Sequence, residues 1–96
     1  MGRRKAKVDD NQSEIVDALR KAGCSVTITS GQADGFPDIV VGFRDINYLI
    51  EIKDGSKVPS KRKLTPDQVK WHKRWNGKAH VVKNVTEAFK VVGLMK

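Results

Sequence analysis

The chain has 96 residues, 39% hydrophobic and 31% charged, and its 19 Lys and Arg against 11 Asp and Glu leave a formal net charge of +8 with a sequence pI of about 9.9. A chain of this size buries roughly 60–70% of its unfolded surface, which allows one core and one site in a single domain over residues 1–96. It is too apolar for a disordered chain, and no apolar run approaches the ~20 residues that span a bilayer.

Residues 1–9 are expected to form a basic, flexible N-terminal segment. No apolar stretch follows MGRRKAK, so it does not read as a secretory signal, and an intracellular, cytoplasmic protein is expected. Asp9, Asp10 and Ser13 offer N-caps for a helix over about 11–22, in which Ile15, Val16, Leu19 and Ala22 recur at helical spacing and Gly23 stands at the end. Cys24, Val26 and Ile28 then alternate with polar residues, which predicts a half-buried strand up to Gly31. Cys24 is the only cysteine, so an internal disulfide and a thiolate-rich zinc site are excluded and a buried apolar role is expected.

Gln32 to Pro37 reads as a loop. Two apolar runs follow, Asp38 to Phe43 and Tyr48 to Lys53, joined by Arg44, Asp45, Ile46 and Asn47 at hairpin spacing; these predict central strands. Asp54 to Leu64 is rich in Gly, Ser, Pro and Lys and reads as an exposed loop. Thr65-Pro66-Asp67-Gln68 is a capping box with proline at the first helical position, starting a second helix that Gly77 ends at about Asn76. Ala79 to Lys83 predicts a fourth strand, and Thr86 caps a last short helix. The expected order is α-β-β-β-α-β-α, an α/β domain with a mixed sheet flanked by helices.

The charge is unevenly spread. Residues 1–7 carry four bases and no acid, residues 8–56 nine acids against four bases, and residues 57–78 eight bases against Asp67 alone. An acidic patch embedded in a basic protein suits a polyanion held by Lys and Arg around a centre of carboxylates.

The carboxylates define that centre. In Tyr48-Leu49-Ile50-Glu51-Ile52-Lys53, strand alternation sends Ile50 and Ile52 to one face and Glu51 with Lys53 to the other. Hairpin pairing can set Asp38 beside Glu51. Two carboxylates and a lysine then meet at one end of the sheet. Such oxygen ligands bind Mg²⁺ with several waters retained, and the cation stabilises negative charge developing on a phosphoryl group. The lysine either helps to position or deprotonate the attacking water or stabilises the transition state as a cation.

Pro37-Asp38, followed thirteen residues after Asp38 by Glu51-Ile52-Lys53, resembles the P-D … E-x-K signature of the PD-(D/E)XK nuclease superfamily. GFPDIVVGF, YLIEIKDG, the Lys-rich loop and LTPDQVKWHKRW together resemble the virus-type replication-repair (VRR-NUC) nucleases, over about residues 10–95. The resemblance implies a restriction-endonuclease-like core. It implies Asp38 and Glu51 as metal ligands with the Ile52 carbonyl beside them, Lys53 as catalytic lysine, and Mg²⁺ or Mn²⁺ as cofactor. It further suggests Glu14 as an additional acidic site residue, against a plain role as a first-turn acid. Gln68 resembles the family's helix-borne glutamine near the metal, against a role confined to its capping box.

Lys57, Lys61, Arg62 and Lys63 leave the E-x-K strand and are expected to contact DNA phosphates, with Lys70, Lys73 and Arg74 forming a basic face on the second helix. Trp71 and Trp75 are read as packing residues. His72 and His80 lack the spacing of a zinc pair. The function expected from the resemblance is a structure-selective DNA endonuclease, a homodimer resolving Holliday junctions. A nickase or flap nuclease and a non-catalytic nucleic-acid-binding module on the same fold are the alternatives. Membrane attachment lacks both an amphipathic helix and a lipidation signal.

Overall fold

The computed structural model describes residues 10–96; the basic segment expected over 1–9, and the cap candidate Asp9, lie outside the described residues. The elements are α1 (Gln12–Lys21), β1 (Ser25–Ile28), β2 (Ile39–Phe43), β3 (Ile46–Ile52), α2 (Pro66–Arg74), β4 (His80–Val82) and α3 (Val85–Val92), in the expected order, with a short 3-10 turn at Pro59–Lys61. The four strands form one mixed sheet in spatial order β1-β2-β3-β4. The β1/β2 and β2/β3 pairs are antiparallel, while β3 and β4 are parallel. A parallel pair needs a crossover, and the Lys-rich loop with α2 supplies it.

The apolar stripe of α1 (Ile15, Val16, Leu19) and that of α3 (Ala88, Val92) pack with Ile39, Val41, Ile50, Ile52 and Val82 in one core, and Cys24 is buried there as expected. Gly23 adopts φ +99°, and Gly23 N–H and Cys24 N–H close onto the Arg20 and Leu19 carbonyls, the hydrogen-bond pair of a Schellman ending. Among the described residues no helix is long and apolar enough to cross a membrane.

Four local expectations are corrected. The β2–β3 connection is a two-residue turn, Arg44 and Asp45, both at positive φ, so β3 begins at Ile46 rather than Tyr48. This is the primed turn geometry, whose twist matches the flanking strands. The N-cap of α3 is Asn84, whose side chain accepts from Glu87 N–H, and Thr86 lies inside the helix. Helix α2 stops at Arg74 with Trp75 extended after it, short of Asn76 and Gly77. The N-cap of α1 is Asn11, but its side chain caps nothing: Nδ2 donates to the carbonyls of Lys53 at 3.3 Å and Lys83 at 3.0 Å, fastening the helix start to the ends of β3 and β4.

Candidate active site

The β2/β3 register pairs Ile39 with Ile50, and one step further along the ladder sets Asp38 opposite Glu51. The two strands are also joined by a side chain: Ile52 N–H donates to Asp38 Oδ2 at 2.7 Å. The segment leading into Asp38 is fixed by polar bonds to the end of β1. Thr29 N–H donates to the Asp38 carbonyl at 2.8 Å, the Thr29 hydroxyl donates to the Pro37 carbonyl at 2.8 Å, and the Ser30 hydroxyl lies 3.3 Å from Asp38 Oδ1.

Strand alternation places Ile50 and Ile52 in the core, so Glu51 and Lys53 emerge on the opposite face, with Lys53 Nζ 3.8 Å from Glu51 Oε2. Glu51 is 1% and Lys53 8% exposed. Their charges are thus largely desolvated, where attraction is stronger than in water and loss of either partner is costly.

Helix α2 reaches this face through Gln68. Its Nε2 donates to Glu51 Oε2 at 2.8 Å, while its Oε1 accepts from Thr65 N–H at 2.9 Å and its own N–H donates to Thr65 Oγ1 at 3.2 Å. The capping box and the bond to Glu51 coexist, because a carboxamide has an acceptor end and a donor end. An aromatic cluster holds the helix in place. Buried Trp71 stacks on Trp75 with centroids 4.7 Å apart and meets the Phe36 ring edge-on at 5.3 Å. Gly35, at φ +80°, passes so close to α2 that a Cβ there would lie 2.3 Å from the Asp67 carbonyl oxygen.

Asp38, Glu51, Ile52, Lys53 and Gln68 line one cleft of about 460 Å³, together with Lys57, Lys61 and Lys63 of the loop. Glu14 and Arg62 do not line it. Both face a neighbouring pocket with Asp54, Lys83 and Glu87, where Glu14 is an exposed acid of the first turn of α1. Lys70, Lys73 and Arg74 are exposed on α2 outside the cleft. Among residues that sequence reasoning did not place in the site, Asp10 lines the cleft and pairs with Lys57 at 3.3 Å, and Ser60 and Thr65 complete its wall. Ser30 and the buried Gln12 lie behind Asp38. Asp10 was visible only as a cap candidate, and Gln12 and Ser30 carry no motif; only the folded pairing of β1 with β2 brings Ser30 to Asp38.

Three ionisable groups that do not line the cleft, Asp54, His72 and His80, are shifted. Hydrogen bonds from the Ser56 hydroxyl and then its N–H hold the Asp54 carboxyl below its usual range. Burial lowers His72, and burial followed by the nearby Lys78 lowers His80. Among the described residues no group of three or more His, Cys, Asp or Glu is placed to hold a metal. The donor set at the cleft is narrower, two carboxylates from Asp38 and Glu51 with the main chain of Ile52 between them. That set fits an ion such as Mg²⁺, which keeps several waters and takes one or two carboxylates. Family models, curated proteins and solved structures yield no match to this chain.

Proposed function

We propose that this protein is a divalent-cation-dependent DNA endonuclease of the PD-(D/E)XK type, akin to the VRR-NUC nucleases and selective for DNA structure. The observation that carries the reading is the meeting of Asp38, Glu51, Lys53 and Gln68 in one cleft whose wall is built from Lys57, Lys61 and Lys63. Asp38 and Glu51, with the Ile52 carbonyl, are the groups that would hold Mg²⁺ or Mn²⁺. The cation would polarise the phosphodiester and offset the charge it develops. Lys53, held against Glu51, orients the attacking water or stabilises the phosphoryl oxygens as a cation. Gln68 fixes the Glu51 carboxylate from α2. The loop lysines take the phosphate backbone, which positions DNA without reading its sequence. Branched DNA cut by a homodimer is the substrate and assembly we favour, since two sites related by a two-fold axis suit symmetric cuts in a four-way junction.

The test is cleavage of labelled four-way junction, flap, single-stranded and linear duplex DNA in Mg²⁺, Mn²⁺ or EDTA, with Asp38→Asn, Glu51→Gln and Lys53→Met alongside and the solution mass measured. Cation-dependent cutting of the junction in paired strands by a dimer, reduced at least ~100-fold in each variant, is the expected result. Cutting confined to other structures, or by a monomer, keeps the nuclease and removes the resolvase. Binding without cutting under every cation replaces the enzyme with a nucleic-acid-binding module.

A further inference from the structure

Behind Asp38 lies a polar chain that the roles assigned above do not use. The Ser30 hydroxyl has one proton and faces three acceptors: Gln12 Oε1 at 3.2 Å, Asp38 Oδ1 at 3.3 Å and the Asp38 carbonyl at 3.4 Å. Asp38 Oδ2 is committed to Ile52 N–H at 2.7 Å, so Oδ1 is the carboxylate oxygen whose partner can change. Gln12 is 7% exposed and occupies the first turn of α1, one turn before the core residues Ile15 and Val16. A carboxamide so deeply buried is costly unless its polar atoms are used. Its position on a packed helix gives the Ser30 hydroxyl a second acceptor at a fixed place.

We propose that Gln12 and Ser30 are positioning residues for Asp38, forming a relay that lets Oδ1 exchange a proton donor for a cation. Without a cation at Oδ1, Ser30 donates to that oxygen and, with Ile52 N–H, fixes the plane of the carboxylate. With a cation at Oδ1, the hydroxyl turns its proton to Gln12 Oε1, the carboxylate keeps its orientation through Ile52, and no hydrogen bond competes for Oδ1. No covalent bond forms or breaks. The inference rests on the reading of Asp38 as a cation ligand. It assigns to Gln12 the contribution of helix α1 to the site, where the family resemblance pointed to Glu14.

The experiment is Mn²⁺ affinity, read from the paramagnetic resonance signal of free Mn²⁺, on the full chain and on Gln12→Met, Ser30→Ala, Ser30→Thr, the Gln12→Met/Ser30→Ala double variant and Asp38→Asn. Thermal melts check folding. Groups that orient a metal ligand typically change affinity 10–100-fold. The expected result is about a tenfold loss in Gln12→Met, where the hydroxyl keeps its proton on Oδ1 against the cation, and no such loss in Ser30→Ala or in the double variant, where no hydroxyl competes. Ser30→Thr, which restores the hydroxyl, is expected to bind as the native chain does. Full affinity in Gln12→Met, with binding abolished by Asp38→Asn, overturns the relay and leaves the cation site standing. A loss in the double variant as large as that in Gln12→Met also overturns it, since the effect would then not pass through the Ser30 hydroxyl. Mn²⁺ binding that ignores Asp38→Asn overturns both the relay and the site. If Gln12→Met does not fold, Gln12→Ala with and without Ser30→Ala makes the same comparison.

Discussion

Gln68 and Glu51 are joined across 2.8 Å by the same carboxamide that closes the N-terminal cap of α2, so the start of one helix and a buried carboxylate of β3 share a single side chain. Removing the cap and removing the link can be told apart. Thr65→Ala deletes only the hydroxyl that accepts from Gln68 N–H and is expected to cost about 1 kcal/mol of stability with cleavage retained. Gln68→Ala keeps that backbone bond but deletes the carboxamide, and with it the bonds to Thr65 N–H and to Glu51, and is expected to lower stability by a similar amount and cleavage at least tenfold. Urea melts and single-turnover cleavage measure the two effects, and equal activity in both variants would show that the link to Glu51 has no catalytic consequence.

The cations differ in what they face, and salt titrations should separate them. Lys57, Lys61 and Lys63 line the cleft whereas Arg62 faces the neighbouring pocket. Each phosphate contact contributes roughly −0.9 to the log–log slope of DNA affinity against salt. Replacing the three lysines with alanine is expected to flatten the slope by up to about 2.7, replacing Arg62 by a small fraction of one contact. Fluorescence anisotropy between 50 and 200 mM salt, in roughly the range where such slopes are resolved, provides the comparison. The α2 set Lys70, Lys73 and Arg74 forms a third variant whose slope reports whether DNA extends over that helix.

Gly35 governs the approach of the loop before β2 to α2. Gly35→Ala adds a Cβ 2.3 Å from a backbone oxygen at a residue with positive φ, so two penalties combine. About 2 kcal/mol or more of destabilisation is expected, with displacement of Asp67 and of its neighbour Gln68. Gly23→Ala is the control, because it also has positive φ but its Cβ meets nothing within 4 Å. It should lose only about 1 kcal/mol and keep cleavage intact. Equal losses at the two positions would remove steric contact as the cause.

Acid should weaken the fold in two separate windows. His72 and His80 are held below their ordinary 6.5 by burial, so the unfolded chain binds more protons just below that value and stability falls as pH drops through it. Asp54 is held below 3.8, so its contribution is present above that pH and is lost at more acid values. His72→Phe keeps an aromatic ring against Trp71, where the two rings already meet edge-on at 5.4 Å, and should reduce the fall of stability as pH drops below 6.5. Melting temperatures across that range check it.

The sequence made the architecture readable where one signal dominated. Alternation around Glu51 gave both the strand and its two faces, and Thr65-Pro66-Asp67-Gln68 fixed the start of α2 to the residue. It was ambiguous where two signals competed for one segment. Asn84 and Thr86 are both good caps two residues apart, and the choice depends on where β4 ends. Arg44 and Asp45 hide a tight turn because neither is glycine. Around the site, the strand-borne residues were legible because local alternation places them. Asp10, Gln12 and Ser30 were not, since long-range packing of α1 and pairing of β1 with β2 bring them to the cleft or behind it. Glu14 illustrates the same limit: on a helix, two positions along the chain from Gln12 is a different face.

The turn at Arg44 and Asp45 has a mechanical consequence for the far end of the hairpin. Five residue pairs separate it from Asp38 and Glu51, and a two-residue connection leaves the strands no freedom to slide. A slip of one position would exchange the faces of β3, driving Glu51 and Lys53 toward α1 and α3 and turning Ile50 and Ile52 out toward α2 and the lysine loop. The turn therefore works as a gauge, set at one end of the sheet, for which side chains the cleft contains at the other.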